Sequence, residues 1–210
     1  METLSSIARE LESGHDQEVR ALTQTALDQS VPATQILEEG LIAGMQVVGE
    51  RFRAHEIFLP QVLLSARAMS AGVELLEPHL GRTDVRSRGK IVIGTVKGDL
   101  HDIGKNLVGI MLAGAGFEVV DLGKDVSPEK FVETARESEA DVIGMSALLT
   151  TTMPAMKQVI SLLKESGLDS SVRTIVGGAP VTEDYAREIG ADSYGFDAAN
   201  AVERVRELVG

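Results

Sequence analysis

Near residue 80 the spacing of apolar residues changes from helical to an alternation of strands and helices, and this predicts two units of different architecture. Leu4, Ile7, Ala8 and Leu11 recur at helical spacing, as do Val19, Leu22, Ala26 and Leu27. Ile36, Leu37, Leu41, Met45, Val48 and Phe52 then hold one apolar stripe through a longer segment. Pro32 suits the first turn of that helix, with Ser30 just upstream as a candidate cap. Pro60 suits the start of the next, which carries Val62, Leu63, Ala66, Met69 and Val73. Roughly four helices with short connections make a small helical bundle over residues 1–80.

The stretch from Leu80 to Gly89 breaks the pattern with glycine and charge, and residues 81–89 read as a linker. Beyond it, Lys90–Val96, Phe117–Leu122, Asp141–Ser146 and Arg173–Val176 are short β-branched runs separated by helical stretches. A shorter candidate strand covers Asp192–Phe196, and a last helix runs from Ala198 to Leu208. Such alternation gives a parallel sheet covered on both faces. Residues 90–210 therefore read as an α/β domain, a flavodoxin-like doubly wound sheet of five strands. Ligands of such sheets sit beyond the carboxyl ends of the strands, at the loops that begin near Lys97, Gly123, Ala147 and Gly177.

Composition removes several functions. A net charge of −12 is poorly suited to a nucleic-acid partner. With no cysteine there is no disulfide, iron–sulfur cluster, thiolate zinc site or cysteine nucleophile. No apolar run approaches the roughly 20 residues that span a bilayer, and the first residues lack the pattern of a signal peptide. A cytoplasmic protein is the default expectation.

The loop Gly98-Asp99-Leu100-His101-Asp102-Ile103-Gly104-Lys105 leaves the first strand and enters a helix. A phosphate-cradling loop needs four residues between its glycines and Ser or Thr after the lysine. Here five intervene and Asn106 follows. A dinucleotide fingerprint is also missing. His101 suits a transition metal, and Asp99 stands close enough to hydrogen-bond the other ring nitrogen. The rival reading is a capping or solvated histidine. Zinc would need further ligands, and none lies nearby. A single protein ligand suits a metal already held by a macrocycle.

Asp99-x-His101-x-x-Gly104 is the core of the cobalamin-binding signature, and Gly144-Met-Ser146-Ala-Leu148-Leu and Gly177-Gly178 follow in the matching order. Gly44 to Phe52, Phe58 to Val62 and Ala66 to Met69 are similar to the helical cap that covers a methylcorrinoid. Over nearly its whole length the chain resembles the corrinoid methyl carriers of methanol, methylamine and methoxyarene methyltransferase systems. It is similar too to the cap and cobalamin modules of cobalamin-dependent methionine synthase.

The resemblance implies cobalamin or a related corrinoid, bound base-off and His-on, with His101 as the cobalt ligand and Asp99 as its hydrogen-bond partner. Thr152 takes the place of the serine that completes the relay in methionine synthase. The displaced nucleotide tail is implied to run beside Gly98, Leu100, Asp102 and Ser146. Leu148, Thr150, Gly177, Gly178 and Ala198 continue that path, with the glycines leaving room. Asp102 reads equally as a helix cap. Phe52, Leu59 and Val62 match residues that shield the methyl group, although periodicity alone makes them bundle core. Glu38 is either a contact at the corrin edge or a solvated helix residue. His15, His55 and His79 read as surface residues, and the methionines as core filling.

By the same resemblance, the chain carries a methyl group on cobalt from a donor-specific methyltransferase to an acceptor methyltransferase that uses tetrahydrofolate or a thiol. A reductive activase is a third implied partner, and the chain has no complete reaction of its own. Two other classes share the loop. A cobalamin-dependent sensor needs a basic DNA-binding module, for which this acidic chain has no spare segment. The carrier subunit of an adenosylcobalamin mutase is not expected to bear a methyl-protecting cap.

Overall fold

The computed structural model describes residues 2–79 and 88–210, and the linker expected over 81–89 lies almost wholly outside them. Two compact units are present: Met1–Arg86 with Gly114–Gly116, and Ser87–Ala113 with Phe117–Gly210.

The first unit is helical: α1 (Glu2–Glu12), α2 (Asp16–Asp28), α3 (Ala33–Gln35), α4 (Ala43–Arg53) and α5 (Leu59–Leu76). A π-helical segment, Ile36–Ile42, joins α3 to α4. The long third helix of the sequence reading is thus one rod with a wider turn inside it, the kind of irregularity often kept at functional sites. Leu4, Ile7, Leu11, Val19, Ala26, Leu41, Met45, Val48, Val62 and Leu76 are buried, so the apolar stripes do form the core. Gly44 marks a close helix crossing, because a Cβ there would stand 2.8 Å from the Ala8 carbonyl oxygen. Two expectations change. Ser30 does not cap; it has φ +60 in the turn that ends α2. Pro32 itself holds the N-cap position of α3, with no side-chain cap bond. Pro60 does lie in the first turn of α5.

The second unit alternates β1 (Lys90–Thr95), α6 (Ile103–Gly114), β2 (Glu118–Asp121), α7 (Pro128–Glu137), β3 (Val142–Ser146), α8 (Pro154–Glu165), β4 (Arg173–Gly177), α9 (Glu183–Ile189), β5 (Ser193–Gly195) and α10 (Ala198–Val209). The strand order is β2-β1-β3-β4-β5 and every pairing is parallel. That is the flavodoxin-like order, in which the chain reverses direction of winding between β1 and β3. Val92, Ile143 and Val176 pack with Phe131, Met156, Val159 and Leu163 in one buried cluster. Helix starts are well capped where the loops are short. Ser127 accepts from the Lys130 amide ahead of Pro128, and Asp197 accepts from the Asn200 amide.

Register places the site. Thr95 pairs with Ser146, Ser146 with Gly177, and Gly177 with Gly195. One transverse row thus ends four strands at the same level, and the loops after it emerge side by side.

Candidate functional site

The β1–α6 loop turns at Gly98, whose φ of +84 is a left-handed conformation that favours glycine. Its amide donates to Asp125 Oδ1 at 2.8 Å, and the Asp125 amide donates to the Asp99 carbonyl at 3.0 Å. The Thr95 hydroxyl, fully buried, donates to the His101 carbonyl at 3.1 Å. The loop is therefore fixed at both ends by hydrogen bonds that do not involve the imidazole.

Asp99 has no exposed surface. Its Oδ1 accepts from the His101 amide at 3.1 Å and from His101 Nδ1 at 2.8 Å. Its Oδ2 accepts from the amides of Leu148 at 2.8 Å and Leu149 at 3.2 Å, and from the Thr152 hydroxyl at 2.7 Å. Burial pushes the carboxyl pKa up, but the Thr152 hydroxyl, the Leu148 amide and His101 outweigh it and hold it well below the usual carboxylate range. An ionised carboxylate only accepts, so Nδ1 of His101 is the donor of this bond, and in the Nδ1–H tautomer the lone pair lies at Nε2. The His101 side chain is 53% exposed. The arrangement presents one oriented, available nitrogen beyond the sheet.

Among the described residues, no group of three or more His, Asp or Glu side chains could hold a metal ion. The loops after the strands and the start of α6 carry exposed large apolar side chains, Leu100, Ile103, Leu148, Leu149 and Phe196. Ile103 opens α6, Leu149 lies within the β3–α8 loop and Phe196 follows β5.

The remaining sequence-predicted residues divide. Ser146 ends β3, half-buried, and Thr150 is exposed in the loop after it. The Asp102 carbonyl accepts from the Asn106 amide, as an N-cap carbonyl does, while among the described residues its carboxylate has no hydrogen-bond partner. Ala198 starts α10 and is buried. Gly177 ends β4 and Gly178 follows it with φ +124. A Cβ on Gly177 would stand 2.8 Å from the Gly195 carbonyl oxygen, and one on Gly178 would collide with the Ala147 carbonyl. These glycines let three strand-end loops cross. In the helical unit Phe52 and Leu59 are half-buried and Glu38 is exposed. Val62 is fully buried. His15 and His55 are exposed, as expected.

A doubly wound parallel sheet whose first strand-end loop presents an oriented histidine defines an α/β protein with its candidate site beyond the carboxyl ends of the strands. The chain belongs to the B12-binding family, with B12 binding domain models matching residues 89–206 and 4–77. It is 43% identical to a corrinoid protein of Desulfitobacterium hafniense, over 100% of this chain and 99% of that one. It is 51% identical to a dimethylamine corrinoid protein of Methanosarcina acetivorans, over 85% of this chain and 84% of that one. Among solved structures, the methanol:cobalamin methyltransferase complex of Methanosarcina barkeri matches with a TM-score of 0.91 and 32% identity, over 99% of this chain and 80% of that one. The cofactor is therefore cobalamin or a related corrinoid. Among the described residues no helix is long and apolar enough to cross a membrane.

Proposed function

We propose that the chain is a methyl carrier that binds its corrinoid base-off and His-on, with His101 Nε2 as the lower ligand of cobalt. The observation that carries this reading is the His101–Asp99 hydrogen bond of 2.8 Å, made by a fully buried carboxylate to an imidazole that stays half exposed. Asp99 sets the tautomer and the ring orientation, and the hydrogen bond raises the basicity of the ligating nitrogen. Gly104 supports the fit. It is the second residue of α6, and a Cβ there would meet nothing within 4 Å. Glycine inside a helix costs about 1 kcal/mol relative to alanine, and no protein neighbour calls for it. Space for a flat ring beside the helix start does.

When bound, the corrinoid supplies the reaction: its reduced cobalt takes up a methyl group and later gives it to an acceptor. The protein's part is to hold and orient. Leu100, Ile103, Leu148 and Leu149 give apolar contact, and Ser146 and Thr150 offer hydroxyls to the displaced tail. Phe52 and Leu59 are assigned to shielding the methyl group, and Glu38 to the corrin edge. The methyl passes from a donor methyltransferase to an acceptor methyltransferase using tetrahydrofolate or a thiol, with a reductive activase restoring the cofactor, in the cytoplasm. Relatives are named for dimethylamine and trimethylamine. Donor choice on this reading lies in the partner enzyme, while the carrier changes little.

The test is the absorption spectrum of the methylcorrinoid-loaded protein. His101→Ala is expected to shift it to the base-off, water-ligated form. A spectrum identical to that of the unaltered protein would refute lower ligation by His101.

A further inference from the structure

Asp99 makes more hydrogen bonds than imidazole orientation requires. Only one of its five donors is the ring nitrogen; three others belong to the β3–α8 loop, and all three converge on Oδ2. The two amides come from Leu148 and Leu149, whose side chains are exposed, so core packing of those side chains does not fix this stretch. Thr152 Oγ1 lies 2.7 Å from Asp99 Oδ2 and 2.8 Å from the Leu149 carbonyl, which closes the loop upon itself at the carboxylate. At its far end the loop is held by Tyr185, whose hydroxyl donates to the Met153 carbonyl at 2.8 Å.

We infer that Asp99 is a positioning residue for the β3–α8 loop, registering that loop on the β1–α6 loop independently of what His101 ligates. One buried charge then sets two things at once: the direction of the imidazole, through Oδ1, and the backbone path from Ala147 to Met153, through Oδ2. Asparagine cannot replace it. Its single carbonyl oxygen serves only one side, and its NH2 group opposes donors on the other. The consequence is that Asp99 contributes to corrinoid retention even where the histidine is gone. This part rests on the proposed corrinoid site, whereas the loop ordering itself does not.

Two measurements separate the claims. In the cofactor-free protein, hydrogen exchange of the Leu148 and Leu149 amides is expected to remain slow in His101→Ala. In Asp99→Asn it is expected to speed up at least tenfold. Equal protection in both variants, or equal loss, would overturn the inference. Thr152→Val keeps the shape and removes one Oδ2 donor, so it serves if Asp99→Asn does not fold. Its exchange at Leu149 is expected to rise several-fold and to return to the original rate in Thr152→Ser; an unchanged rate in Thr152→Val would also count against the clamp. The second measurement compares retention of methylcobalamin on gel filtration for His101→Ala with and without Asp99→Asn. A further loss of at least tenfold is expected in the double variant, and no further loss would show that Asp99 acts through His101 alone. Should His101→Ala leave the spectrum unchanged, the ligation proposal fails while the exchange result stands.

Discussion

Among the described residues, two histidine–carboxylate pairs have nearly equal geometry. His15 Nδ1 lies 2.7 Å from Glu10 Oε2, and His101 Nδ1 lies 2.8 Å from Asp99 Oδ1. The imidazoles are similarly exposed, at 57% and 53%. The carboxylates are not alike: Glu10 keeps 33% of its side-chain surface in water, and Asp99 keeps none. The pKa of His15 is raised, chiefly by the hydrogen bond to Glu10. The Asp99 carboxyl is held well below its usual range against burial by hydrogen bonds from Thr152, the Leu148 amide and His101. A short His–carboxylate contact does not make a ligand site. What sets the second pair apart is that its carboxylate is anchored from behind, which fixes the tautomer and direction of the imidazole.

The largest expected difference is in stability. Asp99→Ala strands two loop amides and a hydroxyl, and denaturant unfolding of the cofactor-free protein is expected to show a loss of about 3–5 kcal/mol. Glu10→Ala, at the surface, is expected to stay within about 0.5 kcal/mol. Equal effects would erase the distinction between the pairs. Next in size, Thr152→Val removes one hydrogen bond to a charge and is expected to cost about 1.5 kcal/mol in the same assay. No change would mean that the Leu149 carbonyl alone holds that hydroxyl.

Acid sharpens the contrast. Asp99 has a folded-state pKa depressed below the unfolded value of about 3.9, so its stabilisation is present above that value and is lost as pH falls through the folded one. The stability gap between the unaltered protein and Asp99→Asn is expected to be flat near neutrality and to narrow below about pH 4. A gap that changes between pH 6 and 8 would indicate that another group controls it. For His15 the sign is opposite: with its folded pKa raised, its contribution is present below the ordinary histidine value of 6.5 and is lost as pH rises through the folded value. This smallest effect is visible by NMR titration, with a His15 midpoint above 6.5 that returns to it in Glu10→Gln. An ordinary midpoint in the unaltered protein would remove the pairing.

Much of this was legible in the residues. Period-3.6 stripes marked the bundle, and β-branched runs marked the strands to within about two residues, because burial selects those patterns directly. Asp99 and His101 were readable as a pair from their spacing, and Thr152 only through the family resemblance, since its contact spans two loops. The π segment at Ile36–Ile42 left no periodic signal, because the apolar stripe continues through it. Gly177 and Gly178 were visible, but the backbone they pack against was not. Their role depends on the register that brings Gly195 and the Ala147 carbonyl against them, and register is a property of the assembled sheet. Val62 shows the same limit, since spacing alone does not distinguish a lid residue from a core residue.

The central claim, that His101 is the lower ligand, is open to one direct measurement. The corrinoid-loaded protein, grown once with ordinary and once with nitrogen-15-labelled histidine, is reduced to the paramagnetic cobalt(II) state for electron paramagnetic resonance. If His101 Nε2 binds cobalt, each superhyperfine triplet from the axial nitrogen becomes a doublet on labelling, and the splitting disappears in His101→Ala. Triplets that persist with labelled histidine would place the cofactor's own base, not His101, beneath the metal.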